Sequence, residues 1–125
     1  MTSQEEKSLY ERLGGYDGVF AAVDDFLDRV TSDPQIGVYW KGHSNDSMER
    51  DRQLIVDFLC EASGGPAHYR GRDMKTSHEG LGINDPDWKI FMDHAAAMLD
   101  HFEVPRQEKT EVLDFFTSLK GDIVE

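Results

Sequence analysis

The chain has 125 residues, enough for one domain with a single core, which we expect to span residues 1–125 with a polar tail at about 1–7. Its 38% hydrophobic and 30% charged residues are typical of a globular protein. A formal net charge of −12, from 25 acidic and 13 basic residues, disfavours nucleic acid and anionic membranes as partners. No stretch approaches the roughly 20 apolar residues that span a bilayer, and the acidic N-terminus lacks a signal-peptide core, so we expect a cytoplasmic protein.

The apolar pattern predicts an all-α protein with four principal helices, at about residues 20–30, 48–62, 87–102 and 106–120. A short helix precedes them, because Ser8 and Glu11 have the spacing of a capping box. Asp46 with Glu49 could cap the second principal helix, and Asp85-Pro86 is a strong start for the third. No segment has the period of two that strands require.

The connection between the two middle helices, residues 63–83, is the most unusual part of the chain. Helical domains usually join neighbouring helices with about 2–8 residues. This segment opens with a Gly-Gly-Pro break and then concentrates basic residues (Arg70, Arg72, Lys75) before a lone histidine, His78. Its length and side chains favour a functional segment.

The histidines and the single cysteine exclude several classes of site. The five histidines are His43, His68, His78, His94 and His101. They show no HExxH spacing, which disfavours a zinc hydrolase. His94 and His101 share one side of a helix, where solvent exposure is the default expectation. Cys60 alone can form neither an internal disulfide nor a cysteine-based zinc site, and we interpret it as a packing residue.

His78 has two interpretations, an ordinary surface histidine or an axial ligand of haem iron, for which one imidazole suffices. Haem carboxylates would need nearby cations, and Arg72 and Lys75 lie in the right part of the chain. The macrocycle would also need an apolar slot. Apolar residues on two helices could provide it: Leu54, Ile55, Phe58, Leu59, Trp88, Phe91 and Met92. The absence of a CxxCH motif means that such a haem would be held without a covalent bond.

Three sequence blocks, in this order, resemble the truncated haemoglobins of group I. They are SLYERLGG at 8–15, the Gly-Gly-Pro break at 64–66 and GRDMKTSHEGLGI at 71–83. The resemblance implies a two-over-two helical sandwich with haem b, and His78 matches the proximal iron ligand. Tyr39 and Trp40 match an aromatic pair that packs on the haem. Other positions match residues near the haem: Met74, Lys75, Ile83, Phe91 and Met92.

The chain departs from the family on the distal side, where many members hold oxygen with a tyrosine and a glutamine. Leu27 stands at the tyrosine position, and Leu54 and Ile55 at the glutamine position. The loop at 41–47 is longer than usual. We therefore expect a weaker oxygen site or an unusual hydrogen-bond donor, for which the choices are Tyr39, Trp40, Gln53 and His43. His43 could also ligate iron directly.

The leading functional hypothesis is reversible binding of oxygen, nitric oxide or carbon monoxide. The alternative is an enzyme, a nitric oxide dioxygenase or a peroxidase-like haem protein, which needs a reductase as partner. A helical interaction module without a cofactor would leave His78 and the basic segment unexplained.

Overall fold

The computed structural model describes residues 8–40, 42, 44–66, 69, 71 and 74–125. These residues form helices and no strands, which confirms the all-α prediction. The helices are α1 (Leu9–Arg12), α2 (Gly15–Thr31), a 3-10 helix (Ile36–Trp40), α3 (Asn45–Ala62), α4 (Met74–His78), α5 (Asp85–His101), α6 (Arg106–Ser118) and α7 (Lys120–Ile123). None of the helices in this part of the chain has the length and apolar character needed to cross a membrane.

Side-chain caps fix where several helices begin. The predicted capping box is present, since the Glu11 amide donates to Ser8 Oγ at 3.2 Å and the Glu11 carboxylate lies 3.5 Å from the Ser8 amide. At α3 the cap is Ser44 and not the expected Asp46: Ser44 Oγ accepts from the Ser47 amide at 3.1 Å. The start of α5 is capped by Asn84.

Helix α2 is the centre of the packing. It contacts α3 on one side and α5 on another, and α5 in turn packs against α6. The α2–α5 contact includes an edge-to-face pair, Phe26 and Phe91, with ring centroids 5.0 Å apart. Cys60 of α3 is completely buried in the same core, and burial raises the pKa of its thiol. The interpretation of Cys60 as a packing residue agrees with this position.

The Gly-Gly break after α3 is the docking point of α1. The Tyr10 amide donates to the Ser63 carbonyl at 2.9 Å, and a Cβ on Gly65 would lie 2.6 Å from the Tyr10 ring. Gly64 has φ +96°, a conformation that glycine adopts without strain. The break therefore both ends α3 and makes room for the N-terminal helix.

The turn between α2 and the 3-10 helix is held by Asp33. One carboxylate oxygen accepts from the amides of Gln35 and Ile36, and the other lies 2.8 Å from His94 Nε2. The contact with His94, followed by these amides, lowers the pKa of Asp33. His94 was expected at the solvent but is half-buried in this contact, whereas His101 is exposed as expected.

Candidate functional site

A cavity of about 810 Å³ lies between α2, α3, α4, α5, α6 and the 3-10 helix. Its volume falls within the range of about 300–1,000 Å³ that is usual for cofactor and ligand pockets. Ten residues predicted to contact a cofactor line it together: Tyr39, Trp40, Leu54, Ile55, Phe58, Leu59, Met74, His78, Ile83 and Phe91. Most of this wall is apolar, as a flat macrocycle would require.

His78 ends the short helix α4 and contributes its imidazole to the cavity wall. Its Nδ1 lies 2.8 Å from the Met74 carbonyl oxygen and 2.9 Å from Ser77 Oγ. A carbonyl oxygen can only accept a hydrogen bond, so this contact places the proton on Nδ1. In the neutral form of the ring, Nε2 then carries the lone pair that a metal-ligating histidine needs.

The described residues contain no cluster of three or more histidine, cysteine, aspartate or glutamate side chains that could hold a metal ion. A protein-only metal cage is therefore absent from this part of the chain. One prepared imidazole beside a large apolar cavity fits a metal whose other ligands come from a macrocycle, as in haem. The donor set and the cavity thus fit haem better than a simple metal ion.

Glu125 forms three hydrogen bonds with the segment that follows His78. Its carboxylate accepts hydrogen bonds from the amides of Gly82 at 2.8 Å and Gly80 at 3.1 Å, and its own amide donates to the Ile83 carbonyl at 2.8 Å. These backbone donors, Gly82 first, lower the pKa of Glu125 because they stabilise the charged carboxylate. The sequence contained no periodic signal for this long-range contact.

Tyr39 is joined to a buried carboxylate. Its hydroxyl donates to Asp87 Oδ2 at 2.6 Å, and Gln35 Nε2 donates to Asp87 Oδ1 at 2.8 Å. Asp87 is only 8% exposed, and the bonds from Gln35 and Tyr39 lower its pKa. In return, Asp87 raises the pKa of Tyr39 to about 12. Both residues line the cavity.

The proton of the Tyr39 hydroxyl is therefore directed at Asp87 and not into the cavity. Gln53, another predicted donor, is exposed, and its amide donates to Tyr16 and Asp57 at 3.1 and 3.0 Å. Trp40 lines the cavity, while Gln53 does not. His43 lies outside the described residues. The choice among the distal donors stays a prediction.

The remaining predicted site residues are more scattered. Three of them do not line the cavity: Leu27, Lys75 and Met92. Leu27 is buried in the core, Met92 packs beside the core, and Lys75 is exposed on α4. Trp88, whose ring stacks on Phe91 at 5.1 Å, does line it. Arg72 lies outside the described residues.

Asp51 is a half-buried lining residue that the sequence reading missed. It precedes Leu54, Ile55 and Phe58 by three, four and seven positions, so it shares their face of α3. That spacing was available in the sequence. The carboxylate was overlooked because acidic residues are so frequent in this chain.

Comparisons with known proteins place these features in one family. A sequence model of the bacterial-like globins matches residues 8–125. The group 1 truncated hemoglobin GlbN of Mycolicibacterium paratuberculosis is 32% identical over 119 residues, which cover 95% of this chain and 85% of that protein.

Two solved structures have nearly the same fold. The truncated hemoglobin of Tetrahymena pyriformis in the Fe(III) form is 26% identical, with a TM-score of 0.86 over 94% of this chain and 98% of that one. The 2/2 hemoglobin of a Synechococcus species, solved in the cyanomet state with covalently attached heme, is 27% identical, with a TM-score of 0.85 over the same shares. The arrangement of α2, α3, α5 and α6 is thus the expected two-over-two sandwich.

Proposed function

The chain belongs to the group I truncated haemoglobins, and we propose that it holds haem b in the central cavity through His78 and reversibly binds oxygen or another diatomic gas. Membership of the family implies a haem cofactor and the binding of diatomic gases. The type of haem, its ligand on the protein and the physiological gas are our inference. We also propose one globin domain, a cytoplasmic location and, for redox cycling, a reductase as partner.

The observation that carries the proposal is the hydrogen bond between His78 Nδ1 and the Met74 carbonyl. It fixes the tautomer in which Nε2 can donate its lone pair, and it restricts rotation of the ring within the cavity wall. A histidine that only caps the last carbonyls of a helix makes the same bond, so it is the position of His78 in the cavity wall that distinguishes it.

When bound, haem supplies an iron atom with one open position at which a diatomic gas can coordinate. The protein would contribute the imidazole of His78 as a ligand of the iron and the apolar side chains of Phe58 and Phe91 as walls of the haem site. Such an apolar wall would limit the access of water to a ferrous iron and so slow its oxidation. Lys75 on α4 is the described cation nearest in sequence to His78 that could pair with a haem carboxylate.

The cavity also bears on how strongly oxygen is held. Leu54 and Ile55 line it without offering a donor, and the Tyr39 hydroxyl is bound to Asp87. A missing hydrogen bond to a polarised ligand costs about 1.5–3 kcal/mol, or about tenfold to a hundredfold in affinity. We propose that oxygen dissociates faster from this protein than from relatives with a distal tyrosine and glutamine.

The enzymatic alternative is a nitric oxide dioxygenase or a peroxidase-like protein. A dioxygenase must retain oxygen until nitric oxide arrives, and the apolar face of α3 disfavours that. Stopped-flow mixing of the oxygenated protein with nitric oxide separates the two: formation of the ferrous nitric oxide complex at the rate of oxygen dissociation supports a carrier, and rapid conversion to the ferric form supports the enzyme.

Haem titration of the purified chain tests the proposal. We expect an intense Soret band with one haem per chain and a ferrous spectrum that is five-coordinate without gas and shifts with oxygen or carbon monoxide. A six-coordinate ferrous spectrum would instead favour a second protein ligand such as His43. Protein that stays colourless after haem addition would contradict the proposed function.

A further inference from the structure

The Tyr39–Asp87 pair has the features of a redox-active tyrosine. A phenol is a difficult electron donor in a protein unless its proton can leave together with the electron. A base within about 2.6–3.2 Å can accept that proton. Asp87 Oδ2 accepts the hydrogen bond of the Tyr39 hydroxyl at 2.6 Å, and both side chains line the same cavity as His78.

We propose that Tyr39 is a redox-active residue that passes one electron to the haem when a peroxide has oxidised it, with Asp87 taking the phenolic proton. The inference rests on the proposed function, because it requires haem in the cavity. It goes beyond gas binding, since it assigns the chain a path for reducing peroxides.

The atoms and charges of the step balance within the pair. The O–H bond of Tyr39 breaks, the electron goes to the oxidised haem, and the proton forms a new O–H bond on Asp87 Oδ2. A neutral tyrosyl radical and a neutral carboxylic acid remain. A one-electron donor of the enediol class, such as ascorbate, then reduces the radical, and Asp87 returns the proton. Two such cycles, each supplied with one electron and one proton by an enediol molecule, provide the two electrons and two protons that convert a peroxide ROOH into ROH and water.

The proton transfer is driven by the acidity that a phenol gains when it loses an electron, since the surroundings of Asp87 favour its charged form. The carboxylate is a buried negative charge before the step, and it is neutral afterwards. Burial disfavours the charged form, but the hydrogen bonds from Gln35 and Tyr39 outweigh it and lower the pKa of Asp87, so Asp87 takes the proton only when the phenol is oxidised. Gln35 Nε2 donates to the other carboxylate oxygen, at 2.8 Å, and so holds Oδ2 towards the phenol in both states. Hydrogen bonding by Asp87 also raises the pKa of Tyr39, which keeps the phenol protonated before oxidation.

Tyr16 provides a matched control. It is exposed, and its hydroxyl lies 3.1 Å from the amide nitrogen of Gln53, a group that cannot take up a proton. Tyr16→Phe removes a phenol as Tyr39→Phe does, but it leaves the cavity and the Asp87 carboxylate unchanged.

The test is rapid-freeze EPR of the haem-loaded full-length protein after mixing with hydrogen peroxide, with spin-trap peptide mapping. We expect a tyrosyl signal that maps to Tyr39, disappears in Tyr39→Phe and persists in Tyr16→Phe. Loss of the base in Asp87→Asn should slow radical formation by about a hundredfold, the lower end of what a positioned base contributes. A signal that survives in Tyr39→Phe, or that forms at the wild-type rate in Asp87→Asn, would overturn the inference.

Should Asp87→Asn fail to fold, the wild-type protein still gives a decisive measurement. Coupled proton transfer predicts slower radical formation in D2O than in H2O, whereas equal rates would contradict a role for Asp87. Failure of the proposed function is distinguishable, because it shows as the absence of a Soret band before peroxide is added. A normal Soret band with no radical at Tyr39 refutes only the redox role.

Discussion

Ile55→Gln tests the account of the distal side. Ile55 lies on the face of α3 that lines the cavity and offers no hydrogen-bond donor there. Glutamine at this position would bring an amide N–H into the cavity on an otherwise unchanged helix. In the wild-type chain the Tyr39 hydroxyl donates to Asp87 instead, and the amide of Gln53 donates to Tyr16 and Asp57 outside the cavity.

The expected effect is large enough to measure. A new hydrogen bond to a ligand that carries partial negative charge contributes about 1.5–3 kcal/mol, which corresponds to about tenfold to a hundredfold slower oxygen dissociation. The effect should be on dissociation, because affinity differences within one site arise mostly in the off-rate. Carbon monoxide is less polarised when bound, so its dissociation should change much less.

Stopped-flow displacement of oxygen by carbon monoxide measures the rate directly. Ile55→Met is the matched control, since it replaces the same side chain with an apolar one of similar volume. We expect slow dissociation in Ile55→Gln and a wild-type rate in Ile55→Met. Equal oxygen off-rates in all three proteins, each with a normal haem spectrum, would refute the view that the distal wall lacks a donor at this position.

Three further experiments test the fold around the site. Gly65→Ala should destabilise the protein by about 1–3 kcal/mol, because the new Cβ would lie 2.6 Å from the Tyr10 ring; Gly121→Ala, in helix α7 with open space around it, should leave the urea midpoint unchanged or slightly raise it. Glu125→Gln should accelerate haem loss to an acceptor globin. The fold lowers the pKa of Glu125 below its ordinary value of 4.5. The stability that the carboxylate contributes is therefore present above about pH 4.5 and is lost as the pH falls below that value. The urea midpoints of wild type and Glu125→Gln should therefore converge in acid, and a constant difference would contradict this. Cys60 should react with a thiol reagent only after unfolding, and rapid labelling of the native protein would show that the core is open.

The helices and the proximal segment could be predicted because local patterns specify them. The apolar stripe of α2 and the capping box at Ser8 depend on residues a few positions apart. The Gly-Gly break ends α3 through local backbone conformation and does not depend on long-range contacts. His78 could be singled out from its place after the long connection, and the structure adds the bond to Met74 that orients it.

Long-range polar contacts could not be predicted in this way. The bond between Tyr39 and Asp87 joins residues 48 positions apart, and Glu125 reaches Gly82 across 43 positions. No periodicity relates such pairs, and in a chain with 25 acidic residues no single carboxylate stands out. The sequence reading therefore offered Tyr39 as a distal donor, whereas the fold gives its proton a different acceptor.

The central claim is that the imidazole of His78 binds the haem iron. The most direct test replaces His78 with glycine and adds free imidazole to the haem-loaded protein. We predict that His78→Gly loses the five-coordinate histidine-ligated ferrous spectrum and that imidazole, bound in the space vacated by the side chain, restores it. A His78→Gly protein that keeps the wild-type ferrous spectrum without imidazole would contradict the account.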